Sequence, residues 1–348
     1  MSQRQVTRRS RFLPWSAVSA PIKLAAHEGL PEQFHEFEEE SWLAIQGALG
    51  ACRPLLVRGE PGVGKTQLAA AAAMVLKRPL VSRVVDSRTE PRDLLWEFDA
   101  VQRLAEAQIA GTLAWRGPDE NNAERHQEQT MLLQSRLAVG KFVRPGTLWW
   151  GFDWNGAAEQ ARLTGSQVLK PPDGTDPQHG RVVLIDEIDK AEADVPNGLL
   201  EALGAGQFTA LGREEPVKAQ GDFPLVIITT NEERVLPGAF IRRCLVLHLK
   251  LPSEPKPLRE FLVRRAKVHF PDEAQSPESI KLFEEAADLL IADREAALEQ
   301  RLDPLPGQAE YLDLLRAVVT LEGSPGARNS LLQSIRRFTL QKHEEPSP

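Results

Sequence analysis

The sequence predicts an α/β fold in which a parallel sheet lies between helices and a helical domain follows. Five short apolar runs, rich in valine, isoleucine and leucine, are typical of strands buried on both faces of a parallel sheet. Four later segments carry apolar residues at i, i+3 and i+4 spacing, which indicates amphipathic helices. The predicted strands cover residues 54–57, 79–85, 182–185, 225–230 and 245–249, and the predicted C-terminal helices cover residues 257–268, 277–302, 310–321 and 327–342.

A glycine-rich loop follows the first predicted strand and precedes an alanine-rich helical segment, residues 67–76. Its sequence, GEPGVGKT, matches the pattern G-x-x-x-x-G-K-[ST]. Glycines allow successive N–H groups to point into one cavity and hold phosphate oxygens, and the helix adds its positive N-terminal end. The lysine supplies a charge for the phosphates and the threonine supplies a hydroxyl for Mg²⁺. We expect ATP to be bound by Gly59, Glu60, Pro61, Gly62, Val63, Gly64, Lys65, Thr66 and Gln67.

Two acidic residues, Asp186 and Glu187, end the third predicted strand. Ligands of open α/β sheets bind at the carboxyl ends of the strands. We therefore expect Asp186 to hold Mg²⁺ through water, together with Thr66, and Glu187 to polarise the attacking water. A structural helix N-cap is the alternative for such a pair, and the upstream phosphate-binding loop favours the catalytic interpretation.

The fourth predicted strand ends at Asn231, within the sequence LVIITTN. A polar side chain at the tip of a central strand can orient the lytic water or contact the γ-phosphate. A turn residue is the alternative for an isolated asparagine. The order of the three elements along the chain favours a catalytic role for Asn231.

This order of motifs resembles that of the AAA+ ATPases and, within them, the MoxR family. Four stretches carry the resemblance: Gly59–Thr66, Leu184–Ala191, Ile227–Glu233 and Leu236–Cys244. The segment 198–209 is also similar to MoxR proteins, and the resemblance covers roughly residues 35–340. The ending RRCLVLHL resembles a CoxD-like branch of that family. The resemblance implies an AAA+ core with a helical lid domain, and ATP and Mg²⁺ as cofactors.

The resemblance implies two further catalytic arginines. Arg243 matches the arginine finger, which reaches the nucleotide of a neighbouring subunit; Arg242 is adjacent, and two solvated charges are the structural alternative. Arg328, in the segment SPGARN, matches the sensor 2 position, where it acts on its own nucleotide or on a neighbour's. The implied catalytic set is Glu187, Asn231, Arg243 and Arg328.

The chain departs from the MoxR pattern in two places. Asp189 and Lys190 stand where MoxR proteins usually have Asn-Arg, a pair common in other AAA+ branches. The segment between the second strand and the acidic motif is long and predicts an insertion near residues 110–180. Within it, Trp149, Trp150 and Trp154 are interpreted as core aromatics under a loop, with a pore-facing contact surface as the alternative.

Composition narrows the class of protein. The chain has 348 residues, a net charge of −7 and two cysteines. No run of about 18 apolar residues exists that could span a membrane, and the N-terminus lacks the apolar core of a secretory signal. Acidic charge argues against charge-driven binding of nucleic acid. We expect a cytoplasmic protein with no membrane insertion.

Three regions are predicted: an N-terminal arm (1–34), a nucleotide-binding domain (35–250) and a helical lid domain (251–348). The arm is arginine-rich, and a helix is expected over residues 31–49 and another over residues 93–109. The arginines of the arm are interpreted as a solvated tail, with wrapping of a neighbour as the alternative; they are Arg4, Arg8, Arg9 and Arg11.

Two functions are compatible with these features. The first is an ATP-hydrolysing remodeller that assembles into a ring, expected to be a hexamer. By resemblance, its partners would be a protein client and a protein with a von Willebrand factor A domain. The second is a nucleotide-controlled scaffold or signalling switch, for example in bacterial defence, with slow or no turnover. A nucleic-acid motor or restriction subunit is less favoured, because the chain is acidic and lacks a recognition domain.

Overall fold

The computed structural model describes residues 13–24, 33–114, 123–302, 304–321 and 324–340 of the chain. The strands are β1 (Ile22–Leu24), β2 (Gln33–His35), β3 (Leu55–Arg58), β4 (Leu80–Val84), β5 (Trp96–Phe98), β6 (Val143–Pro145), β7 (Val182–Asp186), β8 (Gln207–Phe208), β9 (Val217–Lys218), β10 (Leu225–Thr230) and β11 (Leu245–His248). The helices are α1 (Glu39–Ala51), α2 (Lys65–Leu76), α3 (Ala100–Ala114), α4 (Ala123–Arg136), α5 (Thr147–Phe152), α6 (Trp154–Thr164), α7 (Asp194–Ala205), α8 (Gly238–Ile241), α9 (Pro255–His269), α10 (Pro277–Glu299), α11 (Gln308–Leu321) and α12 (Pro325–Thr339).

Five strands form one parallel sheet in the order β11–β3–β10–β7–β4. The three strands that lead into the sequence motifs, β3, β10 and β7, are adjacent at its centre. The register pairs Ile228 with Ile185, which sets Thr229 beside Asp186 at the carboxyl edge. The predicted α/β fold with a parallel sheet is therefore confirmed.

Alternating side chains of the sheet enter two separate cores. Leu55, Val57 and Leu184 pack on one face with α1 and α2. Leu56, Val183 and their neighbours on β10 pack on the other face with α5, α6 and α7. Because both faces are covered, continuous apolar runs along the central strands are required rather than a polar alternation.

The four helices α9–α12, called the lid below, enclose a third core. Leu262, Phe283, Leu290, Leu314 and Val318 are buried in it. All four helices predicted for this part of the sequence are present, with shifted ends. The division of the chain into three regions at residues 34 and 250 stays a prediction.

The predicted insertion contains a small antiparallel sheet and a buried aromatic cluster. Strands β5 and β6 pair with each other, and α3 and α4 lie between them in sequence. Trp149, Trp150 and Trp154 are buried in the core beneath the central sheet. The ring centroids of Trp150 and Trp154 are 5.1 Å apart. The interpretation of the tryptophans as core residues is confirmed, and the alternative of a contact surface is wrong for this fold.

Two predicted helices are shorter than expected. In the segment 31–49 the helix begins at Glu39, with Glu38 as its N-cap, because residues Gln33–His35 pair with β1 instead. In the segment 93–109, residues Trp96–Phe98 form β5 and the helix begins at Ala100. Both errors have one cause, since pairing with another strand overrides the local helical pattern.

The segment that follows the ribbon of β1 and β2 contacts the lid through α9. Arg265 of α9 donates to the Glu36 carbonyl at 2.7 Å and to the Glu38 carboxylate at 2.9 Å. Two histidines lie beside this contact. Burial lowers the pKa of His35 to about 3 and that of His269 to about 4, and the charge of Arg265 adds to both shifts. Both imidazoles are therefore neutral in the folded protein at pH 7.

Some predicted features lie outside the described residues. They are the arginines of the N-terminal arm, Arg4, Arg8, Arg9 and Arg11, and the C-terminal tail beyond residue 340. Among the helices that the structure does describe, none has both the length and the apolar character needed to cross a membrane.

Candidate nucleotide-binding site

The glycine-rich loop joins β3 to α2 at the carboxyl edge of the sheet. Gly62 and Gly64 have φ angles of +77° and +92°, which residues other than glycine rarely adopt. Gly64 is the N-cap of α2, and no side chain caps that helix end. The first turn of α2 therefore keeps N–H groups available for an anion, and the helix dipole favours negative charge there.

Lys65 is folded onto its own loop. Its ammonium group donates to the carbonyl oxygens of Gly59 at 2.7 Å and Glu60 at 2.8 Å. Burial lowers the pKa of Lys65, and the carboxylate of Asp186 opposes that shift. A buried ammonium held by two loop carbonyls supplies a fixed positive charge within the loop.

Asp186 connects the loop to two strands. The hydroxyl of Thr66 donates to its Oδ2 at 2.8 Å, and the hydroxyl of Thr229 donates to its Oδ1. This places hydroxyl and carboxylate oxygens together at the carboxyl edge of the sheet. Such hard oxygen ligands fit Mg²⁺, which binds proteins through one or two carboxylates and substrate phosphates.

Glu187 follows directly and has a strained backbone. Its φ angle is +59°, and its N–H donates to the Thr229 hydroxyl oxygen at 2.9 Å. The side-chain amide of Asn231 lies 3.4 Å from the Glu187 carboxylate, to which it donates. A strained non-glycine residue persists only where its surroundings hold it, which is frequent at functional sites. The structure therefore brings Glu187 and Asn231 together, as their positions after adjacent strands suggest.

Asp189 anchors the loop that carries Asn231. Only 1 % of Asp189 is exposed, and its carboxylate accepts the backbone N–H of Asn231 at 3.2 Å and of Glu233 at 2.9 Å. Lys190 adds a 2.6 Å ion pair with Glu233. The two residues that depart from the MoxR pattern thus fix the position of the asparagine.

The remaining residues of the predicted ATP-binding set lie along the same loop and the start of α2. They are Gly59, Glu60, Pro61, Gly62, Val63, Gly64 and Gln67. The amide of Gln67 donates to Gln33 of β2 at 3.2 Å, which ties α2 to the N-terminal ribbon. Glu60 contacts the lid through Arg294.

Arg242 and Arg243 lie at the opposite edge of the sheet from the glycine-rich loop. They precede β11, whose first residue, Leu245, pairs with Leu55 at the start of β3. The loop begins four residues after Leu55, and a strand rises about 3.3 Å per residue, so about 13 Å of strand separates the two ends. Both arginines are exposed, and no ion pair to either one occurs within the described residues. The fold therefore places both arginines away from their own loop, and the role of Arg243 as an arginine finger stays a prediction.

Arg328 lies near the start of α12, where its guanidinium is 3.5 Å from the Ser279 hydroxyl oxygen on α10. Fifteen residue steps of that helix separate Ser279 from Arg294, the residue that contacts the loop. At 1.5 Å per residue this distance is about 22 Å. The fold does not bring Arg328 to its own phosphate-binding loop, and its catalytic role stays a prediction.

No role in the site follows from the sequence motifs for three residues, although two of them lie within the motif stretches. Thr229 and Asp189 lie inside or beside predicted strands, and a polar residue in an otherwise apolar strand is the signal that could have identified Thr229. Arg294 has no such signal, because 234 residues separate it from its partner Glu60.

Comparison with known proteins agrees with this geometry. Residues 54–265 match the model of the AAA domain family, dynein-related subfamily. A presumed ATPase from Cytophaga hutchinsonii, known from a crystal structure at 2.00 Å, has 14% sequence identity and a TM-score of 0.34 over 86% of this chain and 79% of that chain. This likeness is too low to support an argument. A search of the curated proteins found no match. Since the family model covers well over half of the chain, the protein belongs to the AAA domain family, dynein-related subfamily.

Proposed function

We propose that this AAA+ protein is an Mg²⁺-dependent ATPase. The observation that carries the proposal is the contact of Thr66 with Asp186, because it joins the phosphate-binding loop to the acidic strand at one point. Thr66 and Asp186 would hold the Mg²⁺ ion, which supplies charge neutralisation for the phosphate oxygens when bound. The N–H groups of residues 59–67 and the Lys65 ammonium would bind the phosphates of ATP.

Glu187 and Asn231 are proposed to act on the attacking water. The Glu187 carboxylate accepts a proton from water and so increases its nucleophilicity. The amide of Asn231, 3.4 Å from that carboxylate, fixes its direction. Asp189 acts through Asn231 and Glu233 and is a positioning residue, since its carboxylate is used by backbone N–H groups.

Catalysis is proposed to require a ring, which we expect to be a hexamer. Arg243 lies at the sheet edge opposite its own loop, so it would complete the site of the adjacent subunit. Arg328 is about 22 Å along α10 from the residue that contacts its own loop, so a role across the subunit interface suits it better than a role in its own site.

The finer assignment rests on resemblance. We propose a MoxR-like protein, with the CoxD-like branch as the nearest type, that remodels or matures a protein client in the cytoplasm. A protein with a von Willebrand factor A domain is the proposed partner. The arrangement of Asp189 and Lys190, which differs from MoxR, is used here to hold the Asn231 loop.

The test is steady-state ATP hydrolysis against protein concentration, with mass photometry on the same samples. We expect turnover only where the wild type assembles. Glu187→Gln should bind ATP without hydrolysing it, and Arg243→Ala should lose about 10³-fold or more in rate, as loss of an arginine finger does. Arg242→Ala is the matched control and should keep most of the activity. Assembly with ATP binding but without turnover would instead support the scaffold or switch.

A further inference from the structure

An arginine of the lid contacts the phosphate-binding loop directly. The Nη2 atom of Arg294 on α10 lies 2.8 Å from both carboxylate oxygens of Glu60, the second residue of the loop. Its Nη1 atom donates to the Pro306 carbonyl at 3.0 Å. The Arg294 side chain is 13% exposed and that of Glu60 is 46% exposed. One guanidinium therefore joins the loop, α10 and the segment before α11.

That segment and the first turn of α11 also pack closely against the loop. A Cβ atom at Gly62 would lie 2.7 Å from the Ala309 Cβ, and one at Gly307 would lie 3.7 Å from the Pro61 carbonyl oxygen. The absence of a side chain at Gly62 therefore allows this close approach, whereas a Cβ atom at Gly307 would make an ordinary van der Waals contact. The lid touches the loop at Glu60, Pro61 and Gly62, so a movement of the loop must displace the lid.

The charge of Glu60 has an electrostatic consequence. A carboxylate within a loop that receives phosphates repels them unless a cation compensates it. The backbone carbonyl oxygen of Glu60 also accepts a hydrogen bond from the Lys65 ammonium at 2.8 Å. The lysine therefore contacts the same residue that carries the carboxylate. Arg294 compensates the carboxylate with a charge that belongs to the lid rather than to the loop.

We propose that the pair of Arg294 and Glu60 is a latch that holds the lid on the phosphate-binding loop and so controls nucleotide release. Arg294 is a positioning residue in this latch, because it acts through Glu60. The inference rests on the proposed nucleotide binding and adds to it the element that retains the nucleotide. The latch does not include Arg328, which lies on α12 and contacts Ser279 at the other end of α10.

The experiment measures release of a fluorescent ADP analogue, mant-ADP, from the full chain by stopped flow. The variants are Arg294→Met, Glu60→Ala and the double variant. Each single variant should release the analogue at least about 5-fold faster, the lower end of usual coupling between sites. The double variant should release it no faster than the faster single variant, since both changes break one contact. Arg259→Met, which removes a 2.7 Å lid ion pair with Asp288, is the matched control and should match the wild type.

Hydrogen exchange of the segment 304–311 in the nucleotide-free protein gives a second readout. Exchange there should rise in Arg294→Met and Glu60→Ala and stay unchanged in the Arg259→Met control, while the lid core around Phe283 stays protected in all of them. Unchanged release in both single variants, or additive effects in the double variant, would overturn the latch. Failure of the wild type to bind mant-ADP would overturn the proposed nucleotide binding instead, and the two results are distinguishable.

Discussion

Replacing Arg181 by methionine tests how the acid-bearing strand is held in place. Arg181 is buried and lies just before β7, at the amino edge of the sheet. Its guanidinium donates to four carbonyls: Gly151 at 2.6 Å, Phe152 at 2.6 Å, Pro177 at 2.9 Å and Gln220 at 2.9 Å. Burial lowers its pKa to about 10, with Asp153 opposing the shift, so the group is charged at pH 7.

The expected cost follows from these four contacts. Methionine fills much of the space of the arginine stem but removes the donor to all four carbonyl oxygens. Those of Phe152 and Pro177 keep a backbone donor, from Gln220 and Gly180, whereas those of Gly151 and Gln220 lose the donor that the structure gives them. Each buried carbonyl oxygen that is left without a donor costs about 1–3 kcal/mol. Part of this cost is offset because the variant no longer buries the guanidinium charge. We expect Arg181→Met to lower the free energy of unfolding by about 2–4 kcal/mol. Arg181→Lys keeps at most three donors and should cost about 1–3 kcal/mol.

Urea unfolding followed by tryptophan fluorescence and circular dichroism measures this loss. Arg162→Met is the matched control, because Arg162 lies on the nearby helix α6 with its side chain exposed. It should change the free energy of unfolding by less than about 0.5 kcal/mol, the usual range for surface changes. A loss below about 1 kcal/mol in Arg181→Met, at an unchanged m value, would refute the reasoning.

Three further predictions concern the site and the lid. Asp189→Ala should lower kcat by about 10²-fold through misplacement of the Asn231 loop, with the Kd for ATP unchanged, measured by steady-state kinetics and calorimetry. His269→Gln should flatten the pH dependence of stability. Because folding lowers the pKa of His269 to about 4, the wild-type free energy of unfolding falls as the pH drops below 6.5. The contribution of this histidine to that fall is at most about 1.4 kcal/mol per pH unit. Gly62→Ala should destabilise the protein by about 1–3 kcal/mol more than Gly174→Ala, since only Gly62 faces a lid residue.

Each of these predictions has a result that contradicts it. For Asp189→Ala, a loss of ATP affinity with unchanged kcat would show that the carboxylate does not position the asparagine. For His269→Gln, the difference in urea midpoint between variant and wild type should change with pH. The same difference at pH 7.5 and at pH 5 would show that protonation of His269 does not affect stability. Gly174 has a φ of +76°, close to that of Gly62, and no neighbour near its Cβ position, so equal losses in the two variants would exclude a lid contact.

Features that depend on residues adjacent in the chain could be predicted from the sequence. The glycine loop, the acidic pair and Asn231 each follow an apolar run, and the strand order places the three runs side by side. The lid helices are also predictable, because each buries one face at helical spacing. In all these cases the local pattern and the tertiary structure agree.

Features that depend on pairing between separate segments could not be predicted. Residues 33–35 and 96–98 have helical spacing, yet the first segment pairs with β1 and the second with β6. The latch joins Glu60 to a residue 234 positions away. Asp189 lies within the motif stretch Leu184–Ala191, but the backbone partners of its carboxylate follow a different strand. Such contacts can be identified only when the three-dimensional arrangement of the strands and helices is known.

The central claim is that one subunit completes the catalytic site of the next, and mixing two inactive variants tests it most directly. Arg243→Ala keeps its own Glu187, whereas Glu187→Gln keeps its own Arg243. Neither alone should hydrolyse ATP, and a mixture should recover a substantial part of the wild-type rate, because subunits of the first kind gain the arginine of the second. A mixture as inactive as its components, in assemblies that mass photometry shows to be mixed, would contradict the account.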